Sequence, residues 1–247
     1  DETDAAQVWR LPADGSPPDK LTTADANVTA YALSPDGMTL IYFSGGSIWR
    51  ALADAAPEEL VEVDDSAQIT HIAISPDGTQ VAYGTHESAI FLVSLAGGEA
   101  QRVLFNGVAP APPTASYGQP AFSPDGSWLL AVQGAYNYPT QLVLLNRATG
   151  QVSASVSSDS ALWLSDGRVL SYGRIIGITQ PPEEATPILA INPADLTQTP
   201  LASIPYPARI SSLREVTPGQ VRMVIDNALP GPRALTVVDL NTATGAL

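Results

Sequence analysis

The sequence predicts an all-β fold, a β-propeller of four-stranded antiparallel blades, and three observations carry that expectation. The tetrad Ser-Pro-Asp-Gly stands at residues 34–37, 75–78 and 123–126, with worn copies at Leu164-Ser165-Asp166-Gly167 and Thr217-Pro218-Gly219. The aspartates at 36, 77, 125 and 166 set intervals of 41, 48 and 41 residues, the period of a propeller blade. Each intact tetrad lies between short, apolar, β-prone runs, and nothing in the chain has the pattern of a long amphipathic helix.

The tetrad reads as a hairpin turn. Proline pre-sets φ at the first central position, aspartate tolerates the second, and glycine takes the left-handed position from which a strand can leave. Thr29–Leu33, Thr70–Ile74 and Gly118–Phe122 precede the three intact copies, and Thr39–Phe43, Gln80–Tyr83 and Trp128–Val132 follow them. These are the first and second strands of three blades.

Third strands follow at Val8–Leu11, Ile48–Leu52, Ile90–Leu95, Leu142–Leu145, Ile188–Ile191 and Leu235–Val238. Fourth strands read more weakly, at Lys20–Thr22, Glu59–Val63, Gln101–Leu104, Gln151–Ala154 and Thr199–Leu201. Charge and proline there discourage edge-to-edge pairing. Six third strands against five inner hairpins lead to an expectation of six blades, with five or seven as alternatives. Residues 5–23 supply only the outer half of a blade, so residues 1–247 are expected to form a single propeller domain belonging to a longer chain, or a ring closed irregularly.

Composition narrows the partners. The chain has 25 acidic and 11 basic side chains, a formal charge of −14. That charge opposes nucleic-acid binding, which needs a basic surface, and adsorption to anionic membranes. No apolar run approaches the roughly 18 residues of a membrane-spanning helix. With no cysteine, disulfides, zinc-thiolate sites and cysteine nucleophiles are excluded.

Leu-Ser-Pro-Asp-Gly, then an apolar strand, then Ile48-Trp49-Arg50, then Glu58-Glu59-Leu60 resembles the TolB-like bacterial β-propeller repeat, over nearly the whole chain. The pattern departs from that family after residue 160, where the tetrads decay. The resemblance implies an exported bacterial protein, periplasmic or extracellular, either free or tethered to the membrane by a segment outside these residues. Propellers of this kind occur in envelope proteins, in lipoproteins and in prolyl-oligopeptidase-type enzymes. Two readings follow: a non-catalytic binding or scaffold module, or the propeller domain of a larger hydrolase. A metal-dependent propeller enzyme is a third.

No cofactor or metal site is expected. The chain has no Gly-x-Ser-x-Gly elbow, phosphate loop, His-Glu-x-x-His or dinucleotide fingerprint. Its two histidines, His71 and His86, fall at one face of the expected disc. They read either as an acid–base or metal pair or as two unrelated polar loop residues, the second being favoured.

Loop lengths point to a binding face. First-to-second and third-to-fourth turns are short. The other connections carry the long proline-containing segments 106–117, 134–140, 177–187, 204–209 and 227–233. Tyr117, Tyr136, Asn137, Tyr138 and Tyr206, with Arg209 and Arg233, are the expected anchors there, since aromatic and guanidinium groups suit interfaces. His71, Gln119 and Ser160 are expected at the channel mouth on the same side. The expected occupant is a protein, or another part of the same longer chain.

Overall fold

The buried serine of each tetrad fixes the geometry of the hairpin built on it. Ser34 Oγ donates to Asp36 Oδ1 (2.5 Å) and accepts the Thr39 N–H (2.8 Å). Ser75 Oγ donates to Asp77 Oδ1 (2.6 Å) and accepts the Gln80 N–H (2.9 Å); Ser123 Oγ does the same with Asp125 (2.6 Å) and Trp128 (2.9 Å). The aspartates also accept the N–H two residues on, from Met38, Thr79 and Ser127. A hydroxyl can donate and accept at once, so these serines are buried with both capacities used. The Ser34 hydroxyl and the Met38 N–H hold Asp36 below the ordinary carboxylate value, and the Ser123 and Ser127 hydroxyls do so for Asp125. Gly37, Gly78 and Gly126 sit at φ +73°, +68° and +71°, where an L side chain is strained.

The worn copy keeps its turn by other means. Leu164, in the serine's place, is fully buried. Ser165 has the N–H that proline lacks, and it donates to Glu215 Oε2 (2.7 Å). Asp166 pairs with Arg168 (2.7 Å) across the turn. Burial pushes the Asp166 carboxyl up, but the Arg168 hydrogen bonds and charge outweigh it and hold the group below its ordinary value.

The computed structural model describes residues 5–53, 55–63, 69, 71–85, 89–105, 116–135, 138–157, 160–172, 185–205, 208–227 and 234–247. Its described elements are strands and turns, with no helix among them. Strands β1 (Trp9–Arg10) and β2 (Asp19–Lys20) form a two-stranded sheet. Four sheets have four strands each: β3 (Ala30–Leu33), β4 (Thr39–Ser44), β5 (Ser47–Leu52) and β6 (Glu58–Glu62); β7 (Ile72–Ile74), β8 (Gln80–Thr85), β9 (Ala89–Ser94) and β10 (Gln101–Leu104); β11 (Ser116–Phe122), β12 (Trp128–Ala135), β13 (Tyr138–Asn146) and β14 (Val152–Ser157); β15 (Ser160–Trp163), β16 (Val169–Tyr172), β17 (Thr186–Ile191) and β18 (Gln198–Ile204). A last sheet holds β19 (Arg209–Thr217), β20 (Gln220–Asn227) and β21 (Ala234–Asn241). Strand order follows chain order in every sheet, and the pairs whose register is resolved are antiparallel, so each sheet is a meander.

The chain divides into two compact units, Asp1–Val108 with Ser116–Phe122, and Ala109–Ala115 with Ser123–Leu247. In the first, β4 is buried on both faces. Ile41 and Phe43 join Ile48, Ile72, Val81 and Tyr83 in one core, while Leu40 and Tyr42 join Val8 and Ala51 in another. Strand alternation therefore makes β4 apolar at every position from Leu40 to Phe43. In the second unit, Leu164, Leu170, Ile188, Val221, Met223 and Leu240 form the core between the β15–β18 and β19–β21 sheets.

Four prolines stand inside strands, Pro120 following the positive-φ Gln119 in β11. Pro187 pairs with Ser203 in β17–β18, Pro200 lies in β18 beside the register shift between Ile188 and Leu189, and Pro139 follows the shift between Gln133 and Ala135. A residue without N–H is tolerated where the ladder is already interrupted. The segment 134–140, expected from its proline to be a long loop, is instead mostly strand: β12 runs to Ala135 and β13 starts at Tyr138.

Replacing Ser75 tests the turn directly. Ser75→Ala leaves the Gln80 N–H without its hydroxyl acceptor in a buried site, and is expected to lower unfolding free energy by about 1–2 kcal/mol in urea titration. Ser165→Ala, on an exposed turn, is expected to cost about 0.5 kcal/mol or less.

Candidate functional site

At one corner of the first unit β8 and β11 cross closely at Gly84, with a positive-φ glutamine in β11 and a histidine just before β7. The register Ile72↔Tyr83, carried one step further, sets His71 opposite Gly84. At Gly84 β11 passes close to β8. A Cβ there would lie 3.2 Å from Ile90 Cδ1, 3.3 Å from the Tyr117 carbonyl oxygen and 3.6 Å from Gly118 Cα. The glycine thus admits the Tyr117–Gly118 backbone of β11, which packs against β7 and β8.

Within β11, Tyr117 is buried and Gln119 exposed. Gln119 holds φ +53°, the left-handed region, and such a conformation in a non-glycine residue costs about 1–3 kcal/mol. His71 has an exposed surface, yet the packing around its ring still removes enough water to push its pKa below 6.5. A neutral imidazole offers one donor and one acceptor, and the Gln119 amide offers both kinds as well. The corner is equipped for hydrogen-bonded recognition. Beneath it Tyr83 stacks on Phe91, ring centroids 5.4 Å apart, and burial pushes the Tyr83 hydroxyl up to about 12.

The structure corrects one anchor. Tyr117, read as the end of a long loop, is a strand residue only 3% exposed, because its alternation in β11 turns it inward beside Gly84. It supports the corner from within and is withdrawn from the surface. The structure sets Tyr117 against Gly84 in the first unit, with Gln119 two residues on in β11 and His71 just before β7.

In the second unit, Arg209 opens β19 opposite Asp226 and is exposed. Ser160 opens β15 opposite Tyr172; burial raises the Tyr172 hydroxyl, and its hydrogen bond with the Ser160 side chain opposes that. Tyr138 opens β13 opposite Ala135, its side chain lying outside what is described. Tyr136, Asn137, Tyr206, Arg233 and His86 lie outside the described residues. Among the described residues, no group of three or more His, Asp or Glu is placed to share a metal ion.

Sequence reasoning reached Gln119 by position and missed its conformation. The available signal was Gly84, an isolated glycine inside a strand, which marks a bulge or a close backbone approach. Also missed was the exposure of Trp9, Tyr31 and Leu33 in the first unit.

The connections fall into two sets at opposite ends of the strands. First-to-second turns span 34–38, 75–79, 123–127 and 164–168 between their strands, nearly identical in length. Second-to-third connections run from 45–46 to 173–185, and sheet-to-sheet connections from 158–159 to 105–115. At the turn end the connections run from two residues (218–219) to eight (11–18), and at the other end from two (45–46, 158–159) to thirteen (173–185).

No protein-family model matches the chain. It is 28% identical over 131 residues to an uncharacterized peptidase, YuxL, of Bacillus subtilis, a stretch covering 52% of this chain and 18% of that protein. The chain therefore matches only a small part of this curated relative. An oligogalacturonate lyase solved in complex with manganese superposes over 97% of this chain and 69% of its own, with a TM-score of 0.72 and 16% identity. A prolyl endopeptidase covers 98% of this chain and 46% of its own at TM-score 0.66 and 12% identity. TolB from Acinetobacter baumannii covers 97% and 58% at TM-score 0.55 and 13% identity. At these identities the likeness is one of fold: an all-β propeller built of four-stranded antiparallel blades, shared by TolB and by enzymes alike.

The His71 environment has a measurable consequence. Its folded-state pKa lies below 6.5, so the unfolded chain takes up the proton first as pH falls. The contribution to stability is complete above 6.5 and is lost as pH drops through 6.5 toward the depressed value. Imidazole proton NMR is expected to show one histidine titrating below 6.5 that vanishes in His71→Gln; a His71 midpoint at or above 6.5 contradicts the site's geometry.

Proposed function

We propose that this chain is a binding module of an exported bacterial protein, docking a protein or another envelope component through the variable end of its sheets. The asymmetry of the connections carries this reading: the serine-anchored turns are nearly uniform, while the other end varies from two residues to the long segments 105–115 and 173–185. Loops on a rigid scaffold are where binding residues concentrate, because the scaffold meets the ordering cost in advance. Tyr136, Asn137, Tyr138, Tyr206, Arg209 and Arg233 are assigned to this end from sequence, together with His71 and Gln119. The acidic balance of the chain favours a partner with a basic or apolar surface over nucleic acid. Residues 1–247 form the propeller of a longer polypeptide in this reading, placed in the periplasm or outside the cell.

The peptidase relative supports a second reading, in which the propeller belongs to a larger hydrolase and its variable end faces a catalytic domain. The two readings part on one observation. A hydrolase domain in the same polypeptide, with peptidase activity in the purified full-length protein, favours the second.

Affinity capture from the source organism's envelope fraction, with the chain as bait, identifies the partner for titration. Tyr136→Ala with Tyr138→Ala is then expected to weaken affinity about tenfold or more, while Asp36→Asn at a regular turn leaves it within about twofold. Unchanged affinity in the tyrosine variant, with loss in a folded variant of the regular turns, overturns the assignment of the binding end.

A further inference from the structure

Five Asp-Gly dipeptides stand in the chain: Asp14-Gly15, Asp36-Gly37, Asp77-Gly78, Asp125-Gly126 and Asp166-Gly167. All five lie between strands, and all five glycines hold positive φ, from +68° to +85°. At such a pair the backbone can rearrange, because glycine has no side chain to shield its own amide nitrogen. The nitrogen attacks Cγ of the aspartic acid, and the carboxyl hydroxyl leaves with the amide proton as water. Water then opens the cyclic imide at either carbonyl. Opening at Cγ restores aspartate. Opening at the α-carbonyl gives isoaspartate, with the main chain running through the side chain and one methylene longer. No oxidant or other reactant enters.

Ring closure needs a glycine amide that can leave its hydrogen bond and a carboxyl that can turn onto it. The inner hairpins restrain both. Gly37, Gly78 and Gly126 donate to the carbonyls of Ser34, Ser75 and Ser123 at 2.8, 2.8 and 2.9 Å, and Gly167 donates to Leu164 at 3.0 Å. In the intact tetrads the carboxylate is also tied to a buried serine, which the outgoing strand holds through its own N–H. Asp166 is tied instead by Arg168, through its N–H (3.0 Å) and its guanidinium (2.9 and 2.7 Å). Turning an intact tetrad's carboxylate onto the amide would strip a buried hydroxyl of its acceptor.

The fifth pair is built differently. Asp14-Gly15 stands in the eight-residue connection 11–18, above a ladder of two residue pairs, Trp9↔Lys20 and Arg10↔Asp19. The Gly15 N–H reaches the Pro12 carbonyl at 3.3 Å, the longest of the five glycine bonds. Asp14 accepts the N–H (3.0 Å) and the hydroxyl (2.7 Å) of Ser16. Ser16 is itself an exposed residue of the connection, so no buried strand residue fixes this donor. Ser16 holds the Asp14 carboxyl below its ordinary value, as the tetrad donors hold Asp36 and Asp125, so ionisation does not separate the sites. The glycine bond and the placing of the donor do.

We propose that Asp14-Gly15 is the site at which the folded protein converts spontaneously to isoaspartate, and that the buried serines hold Asp36, Asp77 and Asp125 against the same reaction. Arg168 does so for Asp166. The register-setting hydroxyl thus has a second role, as a chemical guard on the turn it builds. The product at position 14 carries a free α-carboxylate, the group that an isoaspartate repair methyltransferase esterifies with S-adenosylmethionine.

The test ages the chain at mildly acidic pH and physiological temperature, in buffer and in concentrated urea. Isoaspartate at each Asp-Gly pair is quantified by chromatographic separation of its peptides and electron-transfer fragmentation. In urea the five positions are expected to convert within about threefold of one another. In buffer Asp14 is expected to stay within about fivefold of its urea rate, while Asp36, Asp77, Asp125 and Asp166 fall at least about tenfold below theirs. This comparison needs no variant that must fold. Ser75→Ala is expected to raise conversion at Asp77 by about threefold or more, with Asp36 and Asp125 unchanged. Folded-state conversion at Asp14 no faster than at the tetrads overturns the proposal, as does a tetrad that converts in buffer at its urea rate. So does Ser75→Ala that leaves Asp77 unchanged, which assigns the restraint to the glycine bond alone. So does a rise at Asp36 equal to that at Asp77, which makes global unfolding the route.

Discussion

A buried hydroxyl that donates to an aspartate and accepts a backbone N–H is the constraint on which the inner hairpins rest. The serine ties both strands at the point where they diverge. It satisfies the first N–H of the outgoing strand at Thr39, Gln80 and Trp128 and so sets the register of everything that follows. A one-residue slip would turn every core side chain of β4 or β8 to the wrong face. Because those strands are apolar on both faces, register there is less strongly fixed by hydrophobicity than in a half-exposed sheet. The turn chemistry supplies what the pattern does not.

The same logic accounts for the wearing of the repeat along the chain. At the fourth hairpin an apolar side chain replaces the hydroxyl, and Glu215 and Arg168 take over the turn's remaining polar groups. Those substitutes come from a different strand and from the turn itself, so the motif fades in sequence while the hairpin persists in structure. At the last hairpin Glu215 also accepts the Gly219 N–H (2.8 Å), joining the two worn turns through one carboxylate.

Most of the fold was legible because its information is local. Tetrads at a fixed period give the hairpins, and apolar runs give the third strands; the predicted Gln101–Leu104 strand coincides with β10. Prolines misled the reading at 134–140, since a proline in a strand is distinguished from one in a loop only by the register of its neighbours. The site was less legible. That Tyr117 turns inward and Gln119 adopts positive φ depends on β11 crossing Gly84, a contact between residues more than thirty apart in sequence. Sequence indicated that glycine without indicating what approached it. Trp9, Tyr31 and Leu33 look like ordinary core residues in sequence, and only the structure reveals their exposure.

Hydrogen exchange at single amides examines the central constraint without mutation. The N–H groups of Gln80 and Trp128 sit at strand starts, next to exposed turns, where amides ordinarily exchange fast. If the buried serines hold these hairpins, both amides are protected to within about tenfold of Val81 and Leu129 in the strand interiors. Exchange at the rate of an exposed turn, with the strand interiors still protected, would show that the apolar strands alone set the register and that the serines are incidental.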